Sequence, residues 1–408
     1  MARFRLDDTL ALATQGYGWL PNRLRRAGAD AYATRLLGLP VVALHGPEAA
    51  RFFYDEGHVR RHGAVPEPVR STLFGHRAVH TLDGAAHRVR KALFTGLLMD
   101  GGIDDLVGRV ESGWDAAAKR WTGGGPVVLF DAVAEVLTRA VCGWTGLRPP
   151  DAQTPALAAD LVALVDGFGS LGPRNLRARR ARTHRENEFA ALFERVRRGE
   201  TDVPEDSAVV AVARHRDADG NALDSCLAAV ELLNILRPTV AVSWFVAFAG
   251  HALHRWPAHR ERLAGGDPAF AEAYAHEVRR FYPFAPFVGG RAVRDLAFDG
   301  VRIPAGGTVL LDLYGQNHDP RLWPEPYRFT PERFVGRQIG EFELVPQGGG
   351  DPRTGHRCPG ETITVALLRA LVVRLARLAY RLPEQDLTIP LHRLPTRPRS
   401  GVLMEVTG

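Results

Sequence analysis

Residues 223–256 are apolar on almost every face and read as one long helix, yet Arg237 and Pro238 stand in its middle. A helix that is apolar all round belongs in the core of a large protein or in a membrane. Its longest mostly apolar run, 240–253, is about 14 residues, short of the roughly 20 that a bilayer span needs. The expected setting is therefore a protein core. There, an unpaired guanidinium is costly, and an interior proline costs about 3 kcal/mol and kinks the helix. The plain reading is a helix break, with Arg237 reaching solvent along its own stem. The other reading is that both costs are offset by something the pair does.

The chain can supply such a core, with 408 residues of which 45% are hydrophobic. That length fits two average domains or one large one, and no repeat of fixed period is visible. Three cysteines (Cys142, Cys226 and Cys358) are too few for a disulfide framework and fit a reducing compartment. The first twenty residues carry acids where a signal peptide needs an apolar run. A soluble, cytoplasmic protein without stable membrane insertion is expected. Net charge is +6, carried almost wholly by arginine, since Lys91 and Lys119 are the only lysines. The densest basic stretch, 172–185, reads as a solvated helix face, with steering of anionic substrates or a transient membrane contact as alternatives. It lacks the interleaved aromatics and reading motifs of nucleic-acid binding, which is not expected.

Apolar residues at three- and four-residue spacing predict helices near 84–99, 104–121, 129–144, 154–168, 176–198, 223–256 and 360–381. Valines, leucines and turn glycines predict short antiparallel strand pairs, with β-rich elements near 36–75, 285–315 and 383–407. The proline- and glycine-rich stretch 315–359 is long and irregular, as functional segments often are. No linker divides the chain. One mainly α domain, 1–408, with a small β-rich lobe is expected.

The segment "TGHRCPGETITVALLRAL" sets Cys358 just before Pro359, Gly360 and an amphipathic helix. Proline suits a helix's first turn, so Cys358 is predicted at a helix N-terminus, where the dipole favours a thiolate. From these residues alone, Cys358 is a structural thiol, a reactive nucleophile or a metal ligand. "GHRCPGE" resembles the haem-binding cysteine loop of the cytochrome P450 superfamily, with His356 at the basic position two before the cysteine and Gly360 two after it. It departs from the family seven residues before the cysteine, where Asp351 replaces the usual phenylalanine. Upstream, "EVRR" gives Glu277 and Arg280 on one helix face, and "PERF" (331–334) lies between them and the loop. That order is similar to the same superfamily.

The resemblance implies a cytochrome P450 fold, a large helical domain with a small β-rich lobe around a buried haem b. Cys358 would be the axial iron ligand. Glu277, Arg280 and Arg333 would form a buried structural network in which two guanidiniums compensate one carboxylate. His87, Lys91, Arg291, His356 and Arg61 would contact the haem propionates.

Ordinary oxygen-activating members place an acid followed by threonine in the central helix. Here Arg237–Pro238 precedes Thr239, which resembles the fatty-acid peroxygenase branch. The branch implies that Arg237 binds a fatty-acid carboxylate through its planar fork. The substrate's carboxylate would then take the proton of hydrogen peroxide and return it to the distal oxygen, replacing the missing protein acid. No redox partner would be needed. "LFGHRAVHTLDG" resembles the branch's segment over the haem and sets Phe74 and His80 near the substrate. His80 would act with Arg237 in catalysis: histidine there is associated with decarboxylation to terminal alkenes, glutamine with hydroxylation. Its plain alternative is a hydrogen bond to loop or water. Pro238, Phe74, Phe287 and Phe168 are candidate substrate contacts, though core packing explains Phe287 and Phe168 equally. The expected products are 2- or 3-hydroxy fatty acids and 1-alkenes. A ferredoxin-dependent monooxygenase, or a haem- or lipid-binding sensor without turnover, stays open.

Overall fold

The computed structural model describes residues 7–407. Helices dominate, and the predicted ones form at Gly84–Leu98, Ile103–Trp121, Leu129–Thr145, Thr154–Asp166, Pro173–Arg197 and Glu361–Arg377. The last stops short of its expected end at 381, because Tyr380–Arg381 pairs as a strand. Shorter helices at Thr9–Gln15, Trp19–Ala27, Pro47–Tyr54 and Ala208–Arg214 were not legible in the apolar spacing.

The central segment is two helices, Ser225–Val240 and Val242–Arg255. Every residue from Leu227 to Val240 except Pro238 is buried, as an all-round apolar helix requires. By length and composition the whole stretch could cross a membrane, but 94% of its apolar window is buried inside the protein. The break falls at Ala241, three residues past Pro238. Proline removes one donor without stopping the turn. The Thr239 hydroxyl meanwhile bonds the Ile235 carbonyl (2.9 Å), a local bond that often bends a helix.

The strands are β1 (Ala31–Leu36), β2 (Leu39–Leu44), β3 (Val59–Arg60), β4 (Pro126–Val128) and β5 (Phe287–Ala292). They continue as β6 (Leu296–Phe298), β7 (Val301–Ile303), β8 (Thr308–Asp312), β9 (Tyr380–Arg381) and β10 (Leu403–Val406). The main sheet runs β1-β2-β8-β5-β3. Its β2–β8 pair is parallel, not antiparallel as expected, with Val41 opposite Thr308. The reason lies in "PVVAL": Val41 and Ala43 pack against Trp19 and Leu24, whereas Val42 and Leu44 pack against Phe53 and Leu311. A continuous apolar run is the signature of a strand covered on both faces. Two expected β regions shrink. Residues 67–74 are helical, since a π-helical turn occupies Arg70–Phe74, and of 383–407 only β10 is a strand.

Candidate functional site

Two arginine-rich networks hold the cysteine loop. In the helix Pro268–Phe281, Glu277 is fully buried and accepts two bonds from Arg280 (2.7 and 2.8 Å), one from the Thr330 backbone (2.7 Å), and a longer contact from Arg333. Arg280 also donates to the carbonyls of Asn317 (2.8 Å) and Pro326 (3.0 Å), tying the irregular stretch to the helix. The neighbouring Arg279 bonds Gln347 (3.0 Å) and pairs with Glu361, which also binds Arg357 (2.7 Å). Gln347 in turn accepts the Cys358 N–H at its carbonyl (3.1 Å) and points its amide at Sγ (3.9 Å). Arg279, Gln347 and Glu361 were missed from the sequence, where a second arginine beside the ExxR pair looks like an ordinary surface base.

Asp351, the departure from the loop's usual phenylalanine, caps a turn: its carboxylate accepts from the Arg353 N–H (2.8 Å) and the Thr354 hydroxyl (2.6 Å). Polar loop closure replaces apolar packing there. Gly348 (φ 97°) approaches Tyr54 so closely that a Cβ would stand 2.6 Å from its hydroxyl, so only glycine fits.

Cys358 lies three residues before the helix Glu361–Arg377. Contrary to the helix-terminus expectation, burial pushes its thiol up, outweighing the Lys91 charge and the Gly360 N–H. A thiolate here needs a strong cation, which iron provides. A Cβ at Gly360 would stand 3.7 Å from Sγ, in ordinary van der Waals contact.

Beside the sulfur, basic groups crowd together. Lys91 bonds the Arg357 carbonyl (2.5 Å), and His87 stacks on His356 with ring centroids 3.9 Å apart. Arg61 is buried, bonds the Gly289 carbonyl (3.1 Å), and lies over the Phe53 ring at 4.2 Å. Burial together with neighbouring positive charge pushes His87 down to about 3, and burial, opposed by Asp83, leaves His356 at about 4. Burial lowers Lys91 to about 8. Asp83, 3.6 Å from His356, and Glu56 are acids beside them. Nδ1 of His87 and Nε2 of His356 are buried without a hydrogen-bond partner. Lys91, Arg61 and these unpartnered ring nitrogens can donate to the oxygens of two propionates: the residues fit a haem. Arg291 stands apart, its guanidinium held by Gly63, Gly306 and Thr308.

On the other side, the helix Ser225–Val240 presents Glu231, Asn234 and Arg237, spaced three apart on one face. Glu231 accepts from Arg90 (2.7 Å), the Val79 N–H (3.0 Å) and Asn234 (3.1 Å). Asn234 also donates to the Phe74 carbonyl (3.0 Å) and accepts from Arg237 (3.1 Å). Arg237 is 6% exposed, and its Nε has no partner. It does not reach solvent, so the plain helix-break reading fails. Burial and the Arg182 charge lower it to about 9. Phe74 lies under its guanidinium (5.8 Å) and stacks on His80 (4.2 Å). His80 is held well below the usual imidazole range by burial and the Arg237 charge, so it is neutral, and its Nδ1 has no partner.

The segment 70–75 is clamped from behind. Arg182 donates to the carbonyls of Thr72 (2.8 Å) and Leu73 (2.7 Å), and Gly75 (φ 86°) leaves room where a Cβ would meet Arg182 and Val230 at 2.7 Å. The basic stretch 172–185 is thus not one solvated face: Arg182 and Arg185 are buried and paired, while Arg177, Arg179 and Arg180 are exposed. Arg90, Arg182, Glu231 and Asn234 were not singled out from the sequence. The two polar residues at helical spacing from Arg237 were the available signal.

The structure therefore brings together Arg237, Phe74 and His80, and separately His87, Lys91 and His356 beside Cys358. Pro238 is half-exposed next to Arg237. Phe287 packs edge-on against Trp19 (5.9 Å) and the Leu20–Leu24 cluster, and Phe168 ends the helix Thr154–Asp166. Neither stands in the Arg237 set.

The sequence model for the family "Cytochrome P450" matches residues 269–389. Among curated relatives, "Cytochrome P450 4e5, mitochondrial" of Drosophila mettleri is 32% identical over 35% of this chain and 30% of its own length. Carnosic acid synthase of Rosmarinus officinalis is 34% identical over 26% and 21%. These matches thus span under a third of either relative. Solved structures extend the likeness to the whole chain. Cytochrome P450SP alpha (CYP152B1) is 40% identical with a TM-score of 0.94, covering 98% of both chains. Ligand-free cytochrome P450 OleT is 35% identical with a TM-score of 0.95, again covering 98% of both. With the cysteine loop, the Glu277–Arg280–Arg333 network and Arg237–Pro238 in place, the chain belongs to the cytochrome P450 family and is similar over nearly its whole length to its CYP152 member.

Proposed function

We propose that this is a soluble, cytoplasmic, single-domain haem b peroxygenase that uses hydrogen peroxide to oxidise fatty acids at C2 or C3, with decarboxylation to 1-alkenes as a second outcome. The observation that carries this reading is Arg237: a buried guanidinium with one neutral hydrogen-bond partner, an unpartnered Nε and a like charge beside it. A buried charge calls for a counter-ion, and a carboxylate matches the planar fork. OleT has been solved with arachidonic acid, and P450SP alpha with (R)-ibuprophen. Both ligands are carboxylic acids.

Haem bound to Cys358 would supply the oxidising chemistry, and the thiolate ligand favours O–O cleavage. The chain's own residues do the rest. Arg237 holds the acid so that C2 and C3, rather than the tail, face the reacting centre. The held carboxylate accepts a proton from hydrogen peroxide and returns it to the departing oxygen. Phe74 covers the ion pair and lowers its access to water, which strengthens it. Neutral His80 offers one N–H near the reacting carbons. A conventional monooxygenase is disfavoured, because Thr239 spends its hydroxyl on the Ile235 carbonyl and no acid precedes it.

The test is turnover with peroxide alone. Purified protein, showing the red-shifted Soret band of a thiolate-ligated carbon-monoxide adduct, is expected to convert fatty acids without a reductase. Conversion that requires a reductase and NAD(P)H would overturn the reading. His80→Gln is expected to move product from alkene toward hydroxy acid severalfold, measured by gas chromatography. An unaltered ratio would remove His80 from the decarboxylating step.

A further inference from the structure

We propose that Glu231 is a positioning residue for the substrate carboxylate: it fixes the orientation of the Asn234 amide against Arg237 and the place of the 74–80 segment above it. The inference rests on the carboxylate-binding role of Arg237 proposed above. Glu231 is 0% exposed on the central helix and touches three elements. Arg90 comes from the helix that also carries His87 and Lys91. The Val79 N–H belongs to the residue before His80, and Asn234 lies one turn toward Arg237.

The chemistry of the donors decides the geometry. An ionised carboxylate only accepts, and so does the Phe74 carbonyl. The Asn234 NH₂ must therefore face both, which leaves its oxygen to face Arg237. With the amide reversed, NH₂ would confront the guanidinium, donor against donor. Arg90 neutralises Glu231 directly (2.7 Å). Arg237 therefore receives only a neutral amide oxygen and keeps its charge for an incoming anion. A carboxylate one turn nearer would consume that charge. Because Glu231 also holds the Val79 N–H, the same group sets the height of His80 over the bound acid.

Glu231→Gln loosens the constraint, since the new amide can present its own NH₂ to Asn234 and leaves only the Phe74 carbonyl to hold that amide in place. Calorimetric titration of the haem-loaded protein with sodium tetradecanoate is expected to give a dissociation constant about tenfold weaker than that of the unmodified chain, the scale of one charge-assisted hydrogen bond. Haem content and the carbon-monoxide spectrum are expected to stay unchanged. In an Asn234→Leu background, adding Glu231→Gln is expected to weaken binding by well under the tenfold it causes alone, because the amide relay is already gone and only the Val79 bond is left to lose. An unchanged constant at full haem content, or losses that multiply in the double variant, would overturn the proposal. Should the amide variant not take up haem, Glu231→Asp decides instead. It keeps the charge for Arg90 but draws it back by one methylene, and unchanged binding there would equally overturn the proposal. If the unmodified chain binds the acid but does not turn it over with peroxide, the peroxygenase reading falls while the binding comparison still decides the role of Glu231.

Discussion

Arg237→Ala is expected to abolish peroxide-driven fatty-acid oxidation, with kcat/KM falling by about a thousandfold or more, while haem content and the carbon-monoxide spectrum are retained. Truncating one partner of a buried, hydrogen-bonded charge pair costs about 2–5 kcal/mol. Misplacing the reacting carbons adds to that, because positioning within about 1 Å is itself worth roughly a hundredfold. The haem site should survive because nothing in it depends on Arg237. The guanidinium bonds Asn234 and lies over the Phe74 ring, whereas His87, Lys91, His356 and Cys358 are held from other elements. The fold should survive because the variant removes a buried charge without a counter-ion, and Asn234 keeps its bonds to Glu231 and Phe74. Arg237→Lys separates charge from shape: a point charge without the fork should recover only part of the loss. Turnover within about threefold of the unmodified chain in Arg237→Ala would discard the carboxylate anchor, since even one neutral hydrogen bond is worth that much.

Glu277→Ala is expected to act on the fold. The carboxylate is fully buried between Arg280 and Arg333 and also accepts the Thr330 N–H. Removing it strands two guanidiniums, a loss of about 3–5 kcal/mol. Against a total stability of about 5–15 kcal/mol, that is a large share. The thermal midpoint should drop by roughly 4–6 °C, with haem-loaded protein recovered in much lower yield. Haem loss is expected to accompany destabilisation because Arg280 fastens Asn317 and Pro326, and with them the irregular stretch that leads to Cys358. Glu277→Gln, which keeps an acceptor but loses the charge, should fall between. A midpoint unchanged in Glu277→Ala would show that the arginines find other partners and that the network is dispensable.

The two predictions differ in how far the sequence foretells them. The roles of Glu277, Arg280 and Arg333 followed from motif order, and the structure shows the network as expected. Cys358, His356, His87 and Lys91 likewise cluster as the resemblance implied, since helix spacing fixes His87 and Lys91 on one face. Arg61 is buried beside them, but Arg291 is turned to backbone carbonyls of neighbouring loops. Phe287 and Phe168 were named on local pattern alone, and Phe287 packs against Trp19 in a separate cluster. An aromatic residue carries no mark in the sequence of which surface it will cover.

The helical core, the cysteine loop and the anomaly of an arginine and a proline in the central helix are legible in the chain as written. These rest on local periodicity, on fixed spacings and on residue chemistry, all of which survive translation into any fold that buries them. How that anomaly is housed emerges from packing. Arg237 is left unneutralised because Glu231, the one acid on its helix, stands six residues away and is paired with Arg90 from another helix. The amide of Asn234 points the right way because Glu231 and the carbonyl of Phe74, far off in the chain, both demand a donor. The bend follows Pro238 at Ala241 instead of falling at it. Each of these depends on groups brought together from distant parts of the chain, where hydrogen-bond valence and charge must balance in a space that water does not reach. A linear spacing rule contains no such balance.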